Sequence, residues 1–445
     1  MGSQLKATFR GGVHPAHGSK RPTQALAIRD FVSDTVQIVM NMNIGAPSKP
    51  CVKKGDHVKV GQVIGEAVGG LGVPVHASVS GEVVAVDAIA YLTGDMVQSV
   101  TIKNDFQDEW EELQPLGNVE TVDPALIIPA IKAAGICGMG GASFPTHVKL
   151  SIAPGKKCEY ILANGAECET HITCDDRLMQ ENATRVVDGL RAAMRALDVS
   201  QGIIGIEDNK PAAIAAMKKA CQGRQGVRVQ VMKTKYPQGG EKQLIKVLTG
   251  REVPSGGLPI DCGCVVLNVG TCAAIADAII DGKPVIDRVC TVTGAVRSPA
   301  NLRLRIGTIT EDIIGECGGY STEPGKIFFG GAMTGLCLPN DQLPMAKSTN
   351  GIVVFTKEEA VSAEEDPCIR CGKCVEACPI GLNPYDMKIF ADAEKWDVCK
   401  KKNVMDCMLC GACAFICPAR RWLTPSFRIA KQKIAEQAKK EAAAK

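Results

Sequence analysis

The rhythm of apolar and polar positions changes several times along this 445-residue chain. Residues 1 to about 35 show no strong period and open on the turn-rich Gly11-Gly12-Val13-His14-Pro15. From Val36 to Val86 short alternating runs such as Gln37-Ile38-Val39-Met40 are cut by Gly-Asp and Gly-Gln turns, the signature of short β-strands. Between about Asp123 and Cys290 the period alternates between two and 3.6. It predicts helices at Pro124–Ala134, Asp176–Leu197, Lys210–Cys221 and Glu241–Leu248. Strands are predicted at Glu159–Asn164, Gly202–Ile206 and Val227–Val231. Asp123 is placed to N-cap the first helix, with proline at its first helical position. Such alternation calls for a sheet covered by helices. Residues 290–355 return to short strands with one helix near Ile309–Cys317. A cysteine-rich unit follows from Cys368, and Arg428–Lys445 is helical by propensity. That tail carries six basic and two acidic residues, so it reads as a docking helix or, more plainly, a solvated terminal one.

Composition narrows the function classes. With 45% hydrophobic and 22% charged residues the chain is an ordinary globular protein. A formal charge of +3, from 51 basic and 48 acidic residues, and only 4% aromatics argue against a nucleic-acid binder. No apolar run reaches membrane-spanning length, since the best stretch, Val265–Ile280, is interrupted by Asn268, Thr271 and Asp277. The opening Met1-Gly2-Ser3-Gln4-Leu5-Lys6 lacks an apolar signal core, so a reducing cytosol is the expected compartment. There, 21 cysteines point to metal or redox chemistry rather than disulfides.

Nine of the cysteines lie between Cys368 and Cys417. Cys368-x2-Cys371-x2-Cys374-x3-Cys378-Pro379 recurs as Cys407-x2-Cys410-x2-Cys413-x3-Cys417-Pro418, the bacterial run for paired [4Fe–4S] clusters. Three thiolates two residues apart wrap one cluster, and the fourth reaches the other. One set is therefore Cys368, Cys371, Cys374 and Cys417, the second Cys407, Cys410, Cys413 and Cys378. Zinc sites use separated C-x2-C pairs instead. Two clusters move the formal charge to about −1. Arg370, Lys373, Arg420 and Arg421 flank the cysteines, as potential-tuning charges or simple solvated ones. Cys399 has no partner in the pattern and reads as a buried thiol. Cys262-Gly263-Cys264, Cys168 with Cys174, and the six dispersed histidines are weak metal signals.

The second chemical signal is Gly135-Ile136-Cys137-Gly138-Met139-Gly140-Gly141-Ala142-Ser143-Phe144-Pro145-Thr146-His147-Val148-Lys149, whose glycines let backbone amides approach a phosphate or flat ring. It resembles the flavin mononucleotide loop of the NADH-oxidising subunit of respiratory complex I, G-x-G-R-G-G-A-G-F-P-T-G-x-K. Asn164-Gly165-Ala166-Glu167-Cys168-Glu169, Asp176-Arg177, Tyr236-Pro237-Gln238-Gly239-Gly240-Glu241 and Leu267-Asn268-Val269-Gly270-Thr271 resemble that family's further motifs, in order. Val292–Val296 with Ile306–Thr308 resembles its β-grasp domain. The strand-rich part from Val36 resembles a lipoyl-type barrel-sandwich whose tip, Val68-Gly69-Gly70-Leu71-Gly72, lacks the modifiable lysine. Together with the opening Phe9–Pro15 and the doubled cysteine motif, the chain resembles the RnfC family of the Rnf complex, an ion-pumping ferredoxin:NAD+ oxidoreductase, from Phe9 to about Leu423.

That resemblance implies a multidomain α/β and β architecture. A lipoyl-like barrel-sandwich (about 36–105) lies within an N-terminal region, 1–120. A complex I-like FMN/NADH α/β domain spans 121–288 and a β-grasp (SLBB) domain 289–357. A helical ferredoxin-type domain with two [4Fe–4S] clusters spans 358–425, and a basic helical tail 426–445. It implies that Gly138, Gly140, Gly141 and Lys149 bind the flavin phosphate and ribityl chain, and that Asn164, Glu241, Asn268 and Thr271 hold the rest of the FMN. Phe144, Glu167 and Glu169 are implied at the nicotinamide end of NAD(H). Departures are Met139 for arginine, Ser143 for glycine, Ala166 for aspartate, Gly240 and Gly270 for glutamates, and Leu150-Ser151-Ile152 without the adenine-gripping aromatic.

The implied activity is hydride exchange between NAD(H) and FMN, with single electrons relayed through the clusters. The implied partners are a ferredoxin-like cluster subunit and membrane subunits, with peripheral attachment to the cytoplasmic face of the bacterial membrane. Two readings stay open beside it: an NADH-dependent corrin reductase of a bacterial microcompartment, which the sequence also resembles, and an electron-relay scaffold with a non-functional nucleotide site.

Overall fold

The structure, a computed structural model, describes residues 7–15 and 17–443; the polar opening Met1–Lys6 lies outside them. The alternating run after Asp34 forms Thr35–Val39, with Val36 and Ile38 fully buried. It pairs antiparallel with Met96–Asn104, which pairs with Gly81–Ala90, and that strand with His57–Val58. A smaller sheet of Lys49–Pro50, Val63–Glu66 and Val75–His76 completes the sandwich. Gly81, at φ +143°, must be glycine, because a Cβ there would stand 2.0 Å from the Lys103 carbonyl oxygen. The lysine-free tip leans on the next unit, the Gly70 carbonyl lying 3.3 Å from His147 Nε2.

The next unit has a four-stranded parallel sheet in the order Val227–Met232, Gly202–Glu207, Tyr160–Gly165, Cys264–Asn268. Near-continuous apolar strands fit burial on both faces. Helices Pro124–Ala133, Ala183–Ala196 and Val269–Ile280 cover one face, while Leu244, Ile245 and Leu248 of Glu241–Thr249 pack on Leu162, Ile203 and Val266 on the other. Asp123 does cap the first helix, accepting from Ala125 N. The single helix expected over Asp176–Leu197 is instead two, Cys174–Glu181 and Ala183–Ala196. Asn182 (φ −128°, ψ 34°) breaks it; both pieces pack on Pro211–Ala220, the first also meets strand Asp287–Gly294, and the second makes its main contact with Val269–Ile280. The second contact is close enough to require Gly189, where a Cβ would lie 1.7 Å from the Cys272 carbonyl oxygen.

The β-grasp sheet runs Ile28–Phe31, Ala300–Arg305, Asp287–Gly294, Gly351–Thr356, Pro324–Phe329, Leu336–Cys337, with helix Thr310–Glu316. Its edge strand therefore comes from the N-terminal region, where periodicity predicted nothing. Ile28–Phe31 pairs parallel with residues 301–304, a partnership invisible locally. Upstream, Ala7 bridges to Met232, Val13 exchanges backbone hydrogen bonds with Tyr236, and Gly12 N donates to the Ala377 carbonyl at 2.8 Å. The N-terminal segment up to Phe31 thus straps three units together.

The cysteine-rich unit is a cluster of short helices closed by Leu423–Ala443. This last helix starts earlier than Arg428, and its first half is docked rather than solvated. Leu423, Phe427, Ala430 and Ile434 are buried against Met387, Val404 and the fully buried Cys399. No helix among the described residues is long and apolar enough to cross a membrane. Truncating Phe427 to alanine should cost about 3–5 kcal/mol of this unit's stability, as for other buried phenylalanines. Deleting the chain from Gln437 onward, where the described side chains, through Ala442, are exposed, should leave it within about 0.5 kcal/mol. Denaturant unfolding of the two variants checks both.

Candidate flavin and iron–sulfur sites

Parallel α/β sheets bind ligands outside the carboxyl ends of their strands. Here Asn164 and Asn268 end neighbouring strands in register with one another. Asn164 Nδ2 donates to Gly239 O at 2.8 Å and its Oδ1 accepts from Ala166 N, fixing two turns around the strand end. Asn268 Oδ1 caps helix Val269–Ile280 by accepting from Gly270 N and Thr271 N, and Nδ2 donates to Asp175 Oδ2 at 2.7 Å. The helix N-terminus is thereby aimed at the same strand ends, where an anion is favoured. Thr271, 1% exposed, accepts from Met139 N at 3.0 Å, so it acts beneath the glycine loop rather than in the open. Lys149 Nζ donates to Glu241 Oε1 and to Val266 O, both at 2.9 Å.

Among the glycines, Gly138 closes the loop by donating to Phe144 O at 2.8 Å. Gly140 lies against Asn268, whose own Cβ is 3.4 Å from where a Cβ on Gly140 would be. Gly140 and Gly141, Ser143 and Glu169 wall a cleft of about 1050 Å³, open to solvent, that also takes in Asn41–Ile44 of the sandwich and Gly330–Gly335 of the β-grasp unit. Ser143 holds φ +50°, which explains a glycine at this position in the related loop. An exposed glycine loop beside a lysine, two amides and a helix N-terminus is a donor set that fits a flavin phosphate and ribityl chain.

Of the three residues expected at the nicotinamide end, only Glu169 is on the cleft wall. It is half-buried, and this desolvation raises its carboxyl above the ordinary range; it accepts from Met333 N (2.8 Å) and Thr334 Oγ1 (2.7 Å). Glu167 does not reach the cleft. Its turn, at φ +46°, directs the carboxylate inward, where Oε1 accepts from Asp175 N at 2.7 Å and Oε2 lies 3.7 Å from Lys20 Nζ. Burial pushes its carboxyl up against the pull of Lys20 and Lys210. Phe144 is half-buried beside Gly138 and is also off the wall. Sequence reasoning missed the buried cations Lys20, Lys210, Arg288 and Lys347, none of which sits in a recognisable motif.

The eight motif cysteines converge as two sets of four. Cys368, Cys371, Cys374 and Cys417 line one cavity, and Cys378, Cys407, Cys410 and Cys413 line another. Among the described residues no three His, Cys, Asp or Glu side chains converge on a single-ion site. Thiolates at the corners of a four-iron cube stand farther apart than ligands of one ion, so the arrangement fits a cubane. The second set abuts the flavin unit. The Tyr236 hydroxyl donates to Cys410 O at 2.6 Å, and Cys410, Ala412 and Ile416 pack with Tyr236, Cys168 and Val13. Gly240, where the complex I family has glutamate, lies beside this contact, with the flexible end of the Met408 side chain 2.6 Å from where a Cβ would sit. The first set faces outward, with Cys368 and Cys371 exposed and Ile369 68% exposed.

Residue pairs test this grouping. A C368S/C417S variant should lose about four of about eight irons, whereas C368S/C378S should lose nearly all, as read by iron analysis of reconstituted protein. Equal losses in both would contradict the grouping.

Residues 131–277 match the Nuo51 FMN-binding domain, 7–107 the RnfC barrel sandwich hybrid domain, 289–336 the SLBB domain and 353–420 the 4Fe-4S dicluster domain. Among similar proteins are the RnfC-type subunits of three ion-translocating complexes. The chain is 46% identical, over 97% of its length and 98% of the relative's, to that of the Na(+)-translocating ferredoxin:NAD(+) oxidoreductase complex of Acetobacterium woodii. It is 45% identical to that of the proton-translocating ferredoxin:NAD(+) oxidoreductase complex of Clostridium ljungdahlii, over 90% and 88% of the two chains. It is 40% identical to that of the ion-translocating oxidoreductase complex of Rhodobacter capsulatus, over 97% and 84%. Similarity of this extent, carried by every unit of the fold, makes the chain a member of the RnfC family.

Proposed function

We propose that this chain is the NAD(H)-facing electron-transfer subunit of a membrane-associated ion-translocating ferredoxin:NAD+ oxidoreductase, held at the cytoplasmic face through partner subunits. The observation that carries this reading is the direct seating of one cysteine set on the flavin unit, through Tyr236 and Cys410, while the other set faces outward. When bound, FMN supplies the exchange between a hydride and single electrons, and the clusters supply one-electron steps. Cys378, Cys407, Cys410 and Cys413 hold the near cluster. Cys368, Cys371, Cys374 and Cys417 hold the far one, where a partner subunit docks.

The chain's own residues bind, orient and exclude water. Gly138, Gly140 and Gly141 offer backbone amides and close approach, and Lys149 offsets phosphate charge, its present partner Glu241 turning to the ribityl hydroxyls. Asn164 and Asn268 hold the strand ends to which the flavin is fitted, and Thr271 supports the loop from below. Glu169 accepts from the nicotinamide side, while Glu167 and Phe144 shape the wall from behind.

The test is anaerobic. Protein reconstituted with iron, sulfide and FMN should lose both flavin and cluster absorbance when NADH is added. A spectrum unmoved by NADH would contradict the reading. E169Q should keep FMN and both clusters but slow NADH-driven flavin reduction by about 10- to 100-fold, the effect of weakening a charged hydrogen bond. Stopped-flow absorbance checks this, and an unchanged rate would remove Glu169 from the site.

A further inference from the structure

Two carbonyls of the glycine loop, at its first residue Gly135 and at Met139, are gripped from the same side. Lys347, 1% exposed, donates from Nζ to Gly135 O at 2.8 Å, where the loop leaves helix Pro124–Ala133, and to Pro74 O at 3.1 Å. Arg288, 6% exposed on strand Asp287–Gly294, donates from one terminal nitrogen to Met139 O at 3.0 Å and to Lys347 O at 2.9 Å. Its Nε donates to Val289 O at 3.1 Å. Two buried cations of the β-grasp unit thus spend their printed hydrogen bonds on backbone carbonyls, while the charge of Arg288 is offset by the buried Asp175 nearby. Their hydrogen bonds therefore fix the course of the loop.

The Met139 carbonyl and the Gly140 N–H belong to one trans peptide unit and point in opposite directions. Arg288, by holding that carbonyl toward the β-grasp interior, turns the Gly140 N–H outward. Gly140 is exposed on the cleft wall, and its N–H has no acceptor among the described residues. A guanidinium on the carbonyl also polarises the peptide and strengthens its N–H as a donor. The complex I loop has an arginine where this loop has Met139; here Met139 is buried, and the cation comes from a different unit.

We propose that Arg288 and Lys347 are positioning residues that aim the Gly140 N–H into the cleft and so give the site its grip on the phosphate of the flavin. This rests on the flavin reading above. The β-grasp unit is then part of the flavin site without touching the ring.

The experiment uses full-length protein with both clusters in place and flavin removed, titrated separately with FMN and with riboflavin, which lacks the phosphate. Wild-type protein should prefer FMN strongly. R288Q should lose roughly 10- to 100-fold in FMN affinity with riboflavin affinity unchanged, as expected for a hydrogen bond to a charged group. K347M should show the same selective loss, and R288K, which keeps the charge, should fall between. R288K also keeps the test decisive if R288Q does not fold. Variants that keep the wild-type preference, or lose both flavins equally, would overturn the proposal. A wild-type chain that binds neither flavin would instead overturn the flavin reading.

Discussion

The seam between the flavin unit and the near cysteine set is the constraint around which the molecule is arranged. Electron transfer between two bound groups needs them close, and this seam is what brings the two units together. Contacts that hold it include the Tyr236 hydroxyl on Cys410 O, the Ser255 hydroxyl on the Asp406 carboxylate, the Met408 methyl beside Gly240, and the Gly12 amide on Ala377 O. The last comes from a strap that also pairs with Tyr236 and then adds a parallel edge strand to the β-grasp sheet. An extended segment with no periodicity of its own thus holds the modules in register.

What the sequence made legible depended on how local each feature was. The cluster cysteines could be grouped from spacing alone, because the fourth thiolate of each run is carried away from its own three by the helix between them. The barrel-sandwich and the alternating α/β order were readable because their periods differ. The strap was not, since its strand exists only by pairing with residues 301–304. The break at Asn182 was hidden inside a continuous amphipathic pattern, because the backbone leaves the helical region there with no proline or glycine to mark it. The docking of Leu423–Ile434 was obscured by the charged residues that follow it.

The candidate site was legible in outline and not in detail. The glycine loop, Lys149, Asn164, Glu241 and Asn268 come together at the strand ends, but Glu167 turns inward, because a left-handed turn and the buried amine of Lys20 place it there. Several departures from the complex I pattern acquire a physical setting. Gly240 lies beside the near-cluster loop, Met139 is packed while Arg288 holds its carbonyl, and Ser143 tolerates a positive φ. Buried cations left no motif, since many of their partners are backbone carbonyls of distant segments.

If the seam orders the relay, the near cluster is an obligatory step between flavin and far cluster. The most direct measurement is the spectrum of a Cys410→Ser protein, reconstituted with FMN and the remaining cluster, after anaerobic addition of NADH. The account predicts that the flavin bleaches while the far cluster stays oxidised on the time scale of wild-type reduction. Reduction of the far cluster at the wild-type rate would contradict it.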